Sequence, residues 1–179
     1  GTEAEDKTVA SLIHLIETID SANKIDADLR VVLVGETLAK FTEPESHRDY
    51  FVHMKRLFNA IASDIADEVG ATAILTGENL GQVSSQTLGN LGAVEEASRF
   101  RILRPLLGLD KQEIIDEARV LGTYEISTGP ELCDALGPER PTTVADLNRL
   151  RENENNQGGL EKLAESCLNS LRTRPLTSE

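Results

Sequence analysis

The segment from Leu75 to Leu91, LTGENLGQVSSQTLGNL, concentrates residues able to do chemistry. Gly77, Glu78 and Gly81 follow a short apolar run, and Gln82, Ser84, Ser85, Gln86 and Thr87 come next. Glycine at a strand end lets a ligand approach the backbone closely. Gln and Ser side chains offer donors and acceptors without charge, which suits the reading of a nucleotide base or ribose. The competing reading is a glycine-rich turn leading into a polar surface helix, and spacing alone does not separate the two. Lys111 follows Asp110 at a predicted helix start, where a lysine meets the unfavourable positive end of the helix dipole, which hints at another task. Cys133 lies in a stretch, 129–143, with three Pro and two Gly, a setting for an accessible thiol. A cation nearby would favour the thiolate by lowering the thiol pKa, and Arg140 and Lys111 are two that could serve. The alternatives are an ordinary first-turn lysine and a small buried cysteine. Cys167 shares an amphipathic helix with Leu163, Leu168 and Leu171 and reads as core.

The elements that must position these residues alternate. The apolar residues Val9, Leu12, Ile13, Leu15, Ile16 and Ile19, mostly at helical spacing, predict a helix over Lys7–Ala22. Leu29–Val34 reads as a buried strand, and Ala71–Leu75 and Arg101–Leu103 as strands. Tyr50–Val69 reads as a long helix stopped by Gly70, and Lys111–Leu121 as one capped by Asp110 and closed by Gly122. Gln82–Ala97, Val144–Glu154 and Leu160–Leu171 are predicted helical, and Phe41–Asp49 a polar loop. The alternation implies an α/β fold with a parallel sheet, one domain over 1–179 with helices closing its end from residue 144. Ligands of such sheets bind beyond the carboxyl ends of the strands. Gly35–Glu36, Gly77–Glu78 and Arg104–Pro105 all follow strands and are expected along one edge.

These motifs resemble a family. The PP-loop ATPases that make 4-thiouridine in tRNA, the tRNA sulfurtransferases also linked to thiamine thiazole synthesis, carry a similar T-G-E-x-L-G-Q-V-S-S-Q-T-L-x-N-L segment. ILRPLLGLDKQEII, over Ile102–Ile115, is similar to the family's I-L-R-P-L-x-x-x-D-K-x-x-I-I. Pro130-Glu131-Leu132-Cys133 and Pro141-Thr142-Thr143-Val144 resemble its P-E-x-C and P-T-V, and Met54-Lys55-Arg56-Leu57 its basic helix start. The resemblance covers about residues 50–145. It implies a PP-loop, three-layer fold of the adenine nucleotide alpha hydrolase type. It implies a nucleotide pocket using Lys55, Gly77 and Gln86, with Lys111 and Cys133 in catalysis. Lys111 is expected to pair with phosphate, and Cys133 to attack a persulfide sulfur and form a transient disulfide. Without the resemblance, Lys55 reads as a solvated helix lysine.

The implied activity is transfer of sulfur to tRNA: ATP adenylates uridine, and sulfur then replaces its oxygen. The implied partners are ATP or AMP with magnesium, tRNA held through other domains, and a sulfur donor such as a cysteine desulfurase. Homodimerisation is left open. The family's phosphate loop, S-G-G-x-D-S, has no match here. A fragment of a longer enzyme, incomplete on its N-terminal side and inactive alone, is therefore expected. The alternatives are a degenerate nucleotide-binding or dimerisation module and another adenylating PP-loop enzyme. Some relatives hold an iron–sulfur cluster through a C-x-x-C pair and the loop cysteine. Phe51 and Met54 stand at the pair's positions, so no cluster is expected.

Composition sets the limits. The 179 residues are 39% hydrophobic but only 3% aromatic, so the core must be aliphatic. No apolar run approaches the roughly 20 residues that span a bilayer. Two cysteines make no disulfide framework, and a reducing cytoplasm is the expected setting. His14, His47 and His53 form no ligand pattern, so no protein-held metal is expected. The net charge of −13 opposes direct contact with a polyanion. The chain has 31 acidic residues against 6 lysines and 12 arginines, a balance that also fits the protein of a salt-loving organism.

Overall fold

The structure is a computed structural model, and it describes residues 3–23, 27–80, 86–128 and 136–175. Gly81, Gln82, Ser84, Ser85 and Cys133 lie outside the described residues, as does any pairing of Cys133 with Arg140 or Lys111. The chain divides into two compact units. One holds Gly1–Val31, Asp110–Leu132 and Arg172–Glu179; the other holds Val32–Leu109 and Cys133–Leu171.

In the first unit, helix α1 (Glu3–Asn23) packs on the short α7 (Tyr124–Ser127). Helix α6 (Lys111–Val120) opens on a reciprocal cap. The Asp110 carboxylate accepts from the Glu113 backbone at 2.9 Å, and the Glu113 carboxylate accepts from the Asp110 backbone at 2.7 Å. Two of the orphan N–H groups of a helix start are thereby satisfied. The Arg119 guanidinium lies 4.7 Å from the centre of the Tyr124 ring. Strand β1 (Asp28–Val31) pairs antiparallel with β4 (Arg172–Pro175).

The pairing of β1 corrects the sequence reading. Leu29–Val34 was expected beside the other two strands of a parallel sheet, with Gly35–Glu36 on their carboxyl edge. The strand instead ends at Val31 and pairs with β4, and Gly35 opens helix α2 (Gly35–Ala39). A short apolar run specifies an extended backbone but not its neighbour, which tertiary packing chooses.

The second unit is built on α4 (Tyr50–Val69), whose bounds match the sequence reading. Gly70 ends the helix at φ 69°, a left-handed conformation that glycine adopts without steric cost. One face of α4 carries Tyr50, Met54, Leu57 and Ile61 into a core with Leu38, Phe41 and residues of α9 (Leu160–Leu168). Cys167 belongs to this core, and its thiol donates to Thr37 Oγ1 at 3.2 Å. Val52 on another face packs with Ala93 and Val94 of α5 (Leu88–Glu95) and Leu150 of α8 (Leu147–Asn156). The predicted loop 41–49 contains a 3-10 turn (Lys40–Thr42) and helix α3 (Pro44–His47). Strands β2 (Ala73–Leu75) and β3 (Arg101–Leu103) run parallel, with Ile74 opposite Ile102. The mix of helices and a small parallel sheet makes the fold α/β.

Buried ions lock α4 in place. Arg56, 2% exposed, donates from Nε and Nη2 to the two oxygens of Glu154 at 2.6 and 3.0 Å. Its Nη1 reaches the Ala93 carbonyl and, at 2.8 Å, Glu96. His53 Nδ1 lies 3.1 Å from the same Glu154, and its ring stacks on Phe41 at 4.4 Å. One guanidinium thus ties α4 to both α5 and α8.

Candidate functional site

The carboxyl ends of β2 and β3 carry the expected cluster. The Thr76 N–H donates to the Leu103 carbonyl at 3.0 Å, extending the parallel ladder by one bond. Gly77 follows, exposed, and no heavy atom lies within 4 Å of the position a Cβ would take. Its φ is not positive, so neither conformation nor packing within the chain demands glycine there. Space beside an exposed backbone is what a close ligand would use.

Lys55 projects from α4 to the same place. Its side chain is only 16% exposed, and its ammonium donates to Glu78 Oε1 at 2.8 Å. A freely solvated helix lysine is therefore not what the structure contains. The other oxygen of Glu78 accepts from Arg104 Nε at 2.9 Å and from Thr76 Oγ1 at 3.3 Å. Burial acts to raise the Glu78 pKa. The hydrogen bond and charge of Lys55, and then those of Arg104, outweigh it and hold the carboxyl below its ordinary value. Arg104 reaches on to Glu95 of α5 at 2.7 Å. The carboxylate of Glu78 thus stays ionised between two cations.

Gln86 closes the turn. Its Oε1 accepts from the Asn79 backbone at 3.2 Å, and the Asn79 side chain donates to the Leu109 carbonyl at 3.2 Å. Lys55, Gly77 and Gln86, separated by up to 31 positions in sequence, are brought to one turn beyond β2. Downstream, Thr87 and Asn90 stitch the start of α5 to the P-T-T-V segment. The Thr87 hydroxyl donates to the Thr143 carbonyl. The buried Asn90 side chain donates to the Thr142 carbonyl at 3.0 Å and accepts from Ala145 at 2.8 Å. Two motifs read separately in the sequence are therefore parts of one structure.

Lys111 belongs to the other unit. It is exposed at the first position of α6, and among the described residues it has no ion-pair partner. Phe51 and Met54 serve packing. Met54 is buried, and the Phe51 ring fills the place of a side chain at Gly137, where a Cβ would lie 2.1 Å from its Cζ. Among the described residues no group of His, Cys, Asp and Glu could hold a metal ion. No described helix is long and apolar enough to cross a membrane.

Glu78, Arg104 and Glu95 were not singled out as a unit from sequence. Glu78 and Arg104 fall in the motif segments and follow strands, but the sequence assigns neither a role. Their position just past the two strands that do pair was the available signal.

The family model described as thiamine biosynthesis protein (ThiI) matches residues 1–158. The tRNA sulfurtransferase of Shewanella baltica is 33% identical over 165 residues, 92% of this chain and 32% of that protein. The probable tRNA sulfurtransferase of Moorella thermoacetica is 42% identical over 124 residues, 68% of this chain and 32% of its own length. The crystal structure of a 4-thiouridine synthetase–RNA complex with bound ATP matches with a TM-score of 0.84 and 31% identity, covering 97% of this chain and 45% of that one. The chain spans about a third of these two sulfurtransferases and 45% of the synthetase chain, whose PP-loop fold it shares. The chain belongs to the ThiI family.

Proposed function

We propose that this chain is the nucleotide-reading and thiol-transfer portion of a tRNA sulfurtransferase that makes 4-thiouridine. The observation that carries the reading is the convergence of Lys55, Gly77 and Gln86 on one turn at the carboxyl end of the parallel strands. Gly77 offers its backbone N–H to the nucleotide and Gln86 its amide. Lys55 supplies positive charge from a desolvated position, where it acts more strongly than in water. Magnesium arrives with ATP, without a dedicated protein cage.

A carbonyl oxygen is a poor leaving group until it is esterified. In the proposed reaction, uridine O4 attacks the α-phosphorus of ATP and pyrophosphate departs. The terminal sulfur of a persulfide, delivered by a donor such as a cysteine desulfurase, then adds to C4, and AMP leaves. The Cys133 thiolate attacks the other sulfur of that persulfide. A protein disulfide forms, and the transferred sulfur stays on the base. Lys111 contacts phosphate or the adenylated intermediate. RNA is held mainly by other parts of the full-length protein, in keeping with the net charge of −13, and the setting is the cytoplasm.

Titration of the chain with AMP, followed by backbone amide NMR, tests the reading. Binding in the millimolar range, about 4 kcal/mol, is expected with shifts centred on Gly77 and Gln86. Shifts that leave this turn untouched at saturating AMP would refute it.

A further inference from the structure

We propose that Glu78, clamped by Arg104, is a positioning residue that aims the Lys55 ammonium at the bound nucleotide; the inference rests on the nucleotide reading above. The four side chains form a relay from one rigid element to the next. Glu95 on α5 holds Arg104 after β3 at 2.7 Å, Arg104 holds Glu78 after β2 at 2.9 Å, and Glu78 holds Lys55 on α4 at 2.8 Å. A lysine head on a four-carbon stem is a mobile point charge. A single carboxylate oxygen fixes one of its three N–H bonds and leaves two for a ligand. The second oxygen of Glu78 is occupied by Arg104 and Thr76, so the carboxylate cannot swing to follow the lysine.

Two features set this cluster apart from an ordinary surface ion pair. Lys55, Glu78 and Arg104 are 16, 11 and 9% exposed, so the charges are largely desolvated. Among the described residues, Arg104 Nη2 is buried without a hydrogen-bond partner. Packing for stability alone would remove such an unmade bond. The guanidinium is held where it grips Glu78, at the expense of its own satisfaction. The charges of the two cations and two carboxylates cancel, so the cluster does not attract an anion by net charge. Its contribution lies in direction.

The test is AMP affinity measured by NMR titration for the native chain, Lys55→Met, Glu78→Gln and the double variant, with melting temperatures alongside. Glu78→Gln keeps the shape of the side chain and removes the charge that orients Lys55. It is expected to weaken AMP binding about fivefold or more, and the double variant to be no weaker than Lys55→Met alone. If Glu78→Gln fails to fold, Arg104→Lys is used. It keeps the positive charge, loses the fork, and is expected to weaken binding about threefold in the native background and not at all with Lys55→Met. Affinity unchanged or tightened in Glu78→Gln would overturn the proposal, since Glu78 would then merely compete for the lysine. Effects that multiply in the double variant would overturn it too. A native chain that binds no AMP overturns the nucleotide reading as well, whereas binding with multiplying effects overturns this inference alone.

Discussion

Replacing Glu154 by alanine tests how the Lys55-bearing helix is held. Glu154 is 3% exposed and accepts both forks of Arg56, itself 2% exposed, together with the His53 ring. Removing it leaves a buried guanidinium with two donors unpaired, and breaking a buried pair in this way costs about 3–5 kcal/mol. Two details place the loss near the lower figure. Glu96 still compensates Nη1, and a cavity of about 450 Å³ lined by Arg56 and Glu154 can admit water to the freed donors. A loss of about 3 kcal/mol in a chain of this size corresponds to a fall of about 6–12 °C in melting temperature. Glu154→Gln, which keeps an acceptor for one fork, should lose about half as much.

The pH dependence of that loss has a fixed sign. Burial acts to raise the Glu154 pKa, but the hydrogen bonds from His53 and Arg56 and the Arg56 charge prevail and lower it below the ordinary 4.5. A carboxyl lowered on folding adds stability that is complete above its unfolded pKa and vanishes as the pH falls through the folded one. The gap between native and Glu154→Gln should therefore be constant at neutral pH and narrow below about 4.5. Urea unfolding followed by circular dichroism at a series of pH values reads both quantities. A cost under about 1 kcal/mol for Glu154→Ala, or a gap that widens on acidification, would refute the buried-clamp account.

Three further outcomes are expected. Gly77→Ala should leave folding within about 0.5 kcal/mol of native, since the added methyl meets no atom within 4 Å, while AMP binding weakens; an unfolded variant or unchanged binding would count against the site. Alkylation with peptide mapping should label Cys133 before Cys167, which is 3% exposed and bonded to Thr37; the reverse order would remove Cys133 from its proposed role. In the full-length enzyme, Lys111→Ala should melt within a few tenths of a kcal/mol of native yet form 4-thiouridine on the order of 100-fold more slowly. Normal thiolation would reduce Lys111 to a helix-start residue.

Much of the frame was legible because it is written locally. The apolar spacing of α4 and the glycine that stops it lie in one stretch, and so do the Asp110 and Glu113 of the α6 cap. What was not legible depends on distance. Strand β4 reads Arg-Thr-Arg-Pro, a polar tail by composition, and is a strand because β1 offers it a partner 145 positions away at the Leu29–Arg174 pairing. Glu154 sits in a run of Glu and Asn that looks solvated, yet Arg56, 98 positions earlier, draws it inside. Lys55 stood out only through the resemblance. The reason it is not an ordinary lysine, the Glu78 carboxylate 23 positions on, needs the fold.

The distribution of ion pairs bears on what the chain can grip. Of the 12 arginines, Arg56, Arg99, Arg104, Arg119, Arg149 and Arg151 are engaged with carboxylates of the chain itself. Affinity for nucleic acid comes largely from cations that neutralise phosphates and release counterions, and an arginine already paired with a carboxylate contributes little. Among these, all but Arg119, which pairs within α6, join separate helices or strand ends, in a chain with 31 acidic residues. The proposed site follows the same pattern: a small neutral cluster that directs one ammonium would act on a mononucleotide at short range, where geometry decides. It cannot draw a polyanion from a distance, where net charge decides. On the proposed reading, this portion reads the nucleotide and other parts of the full-length protein hold the RNA.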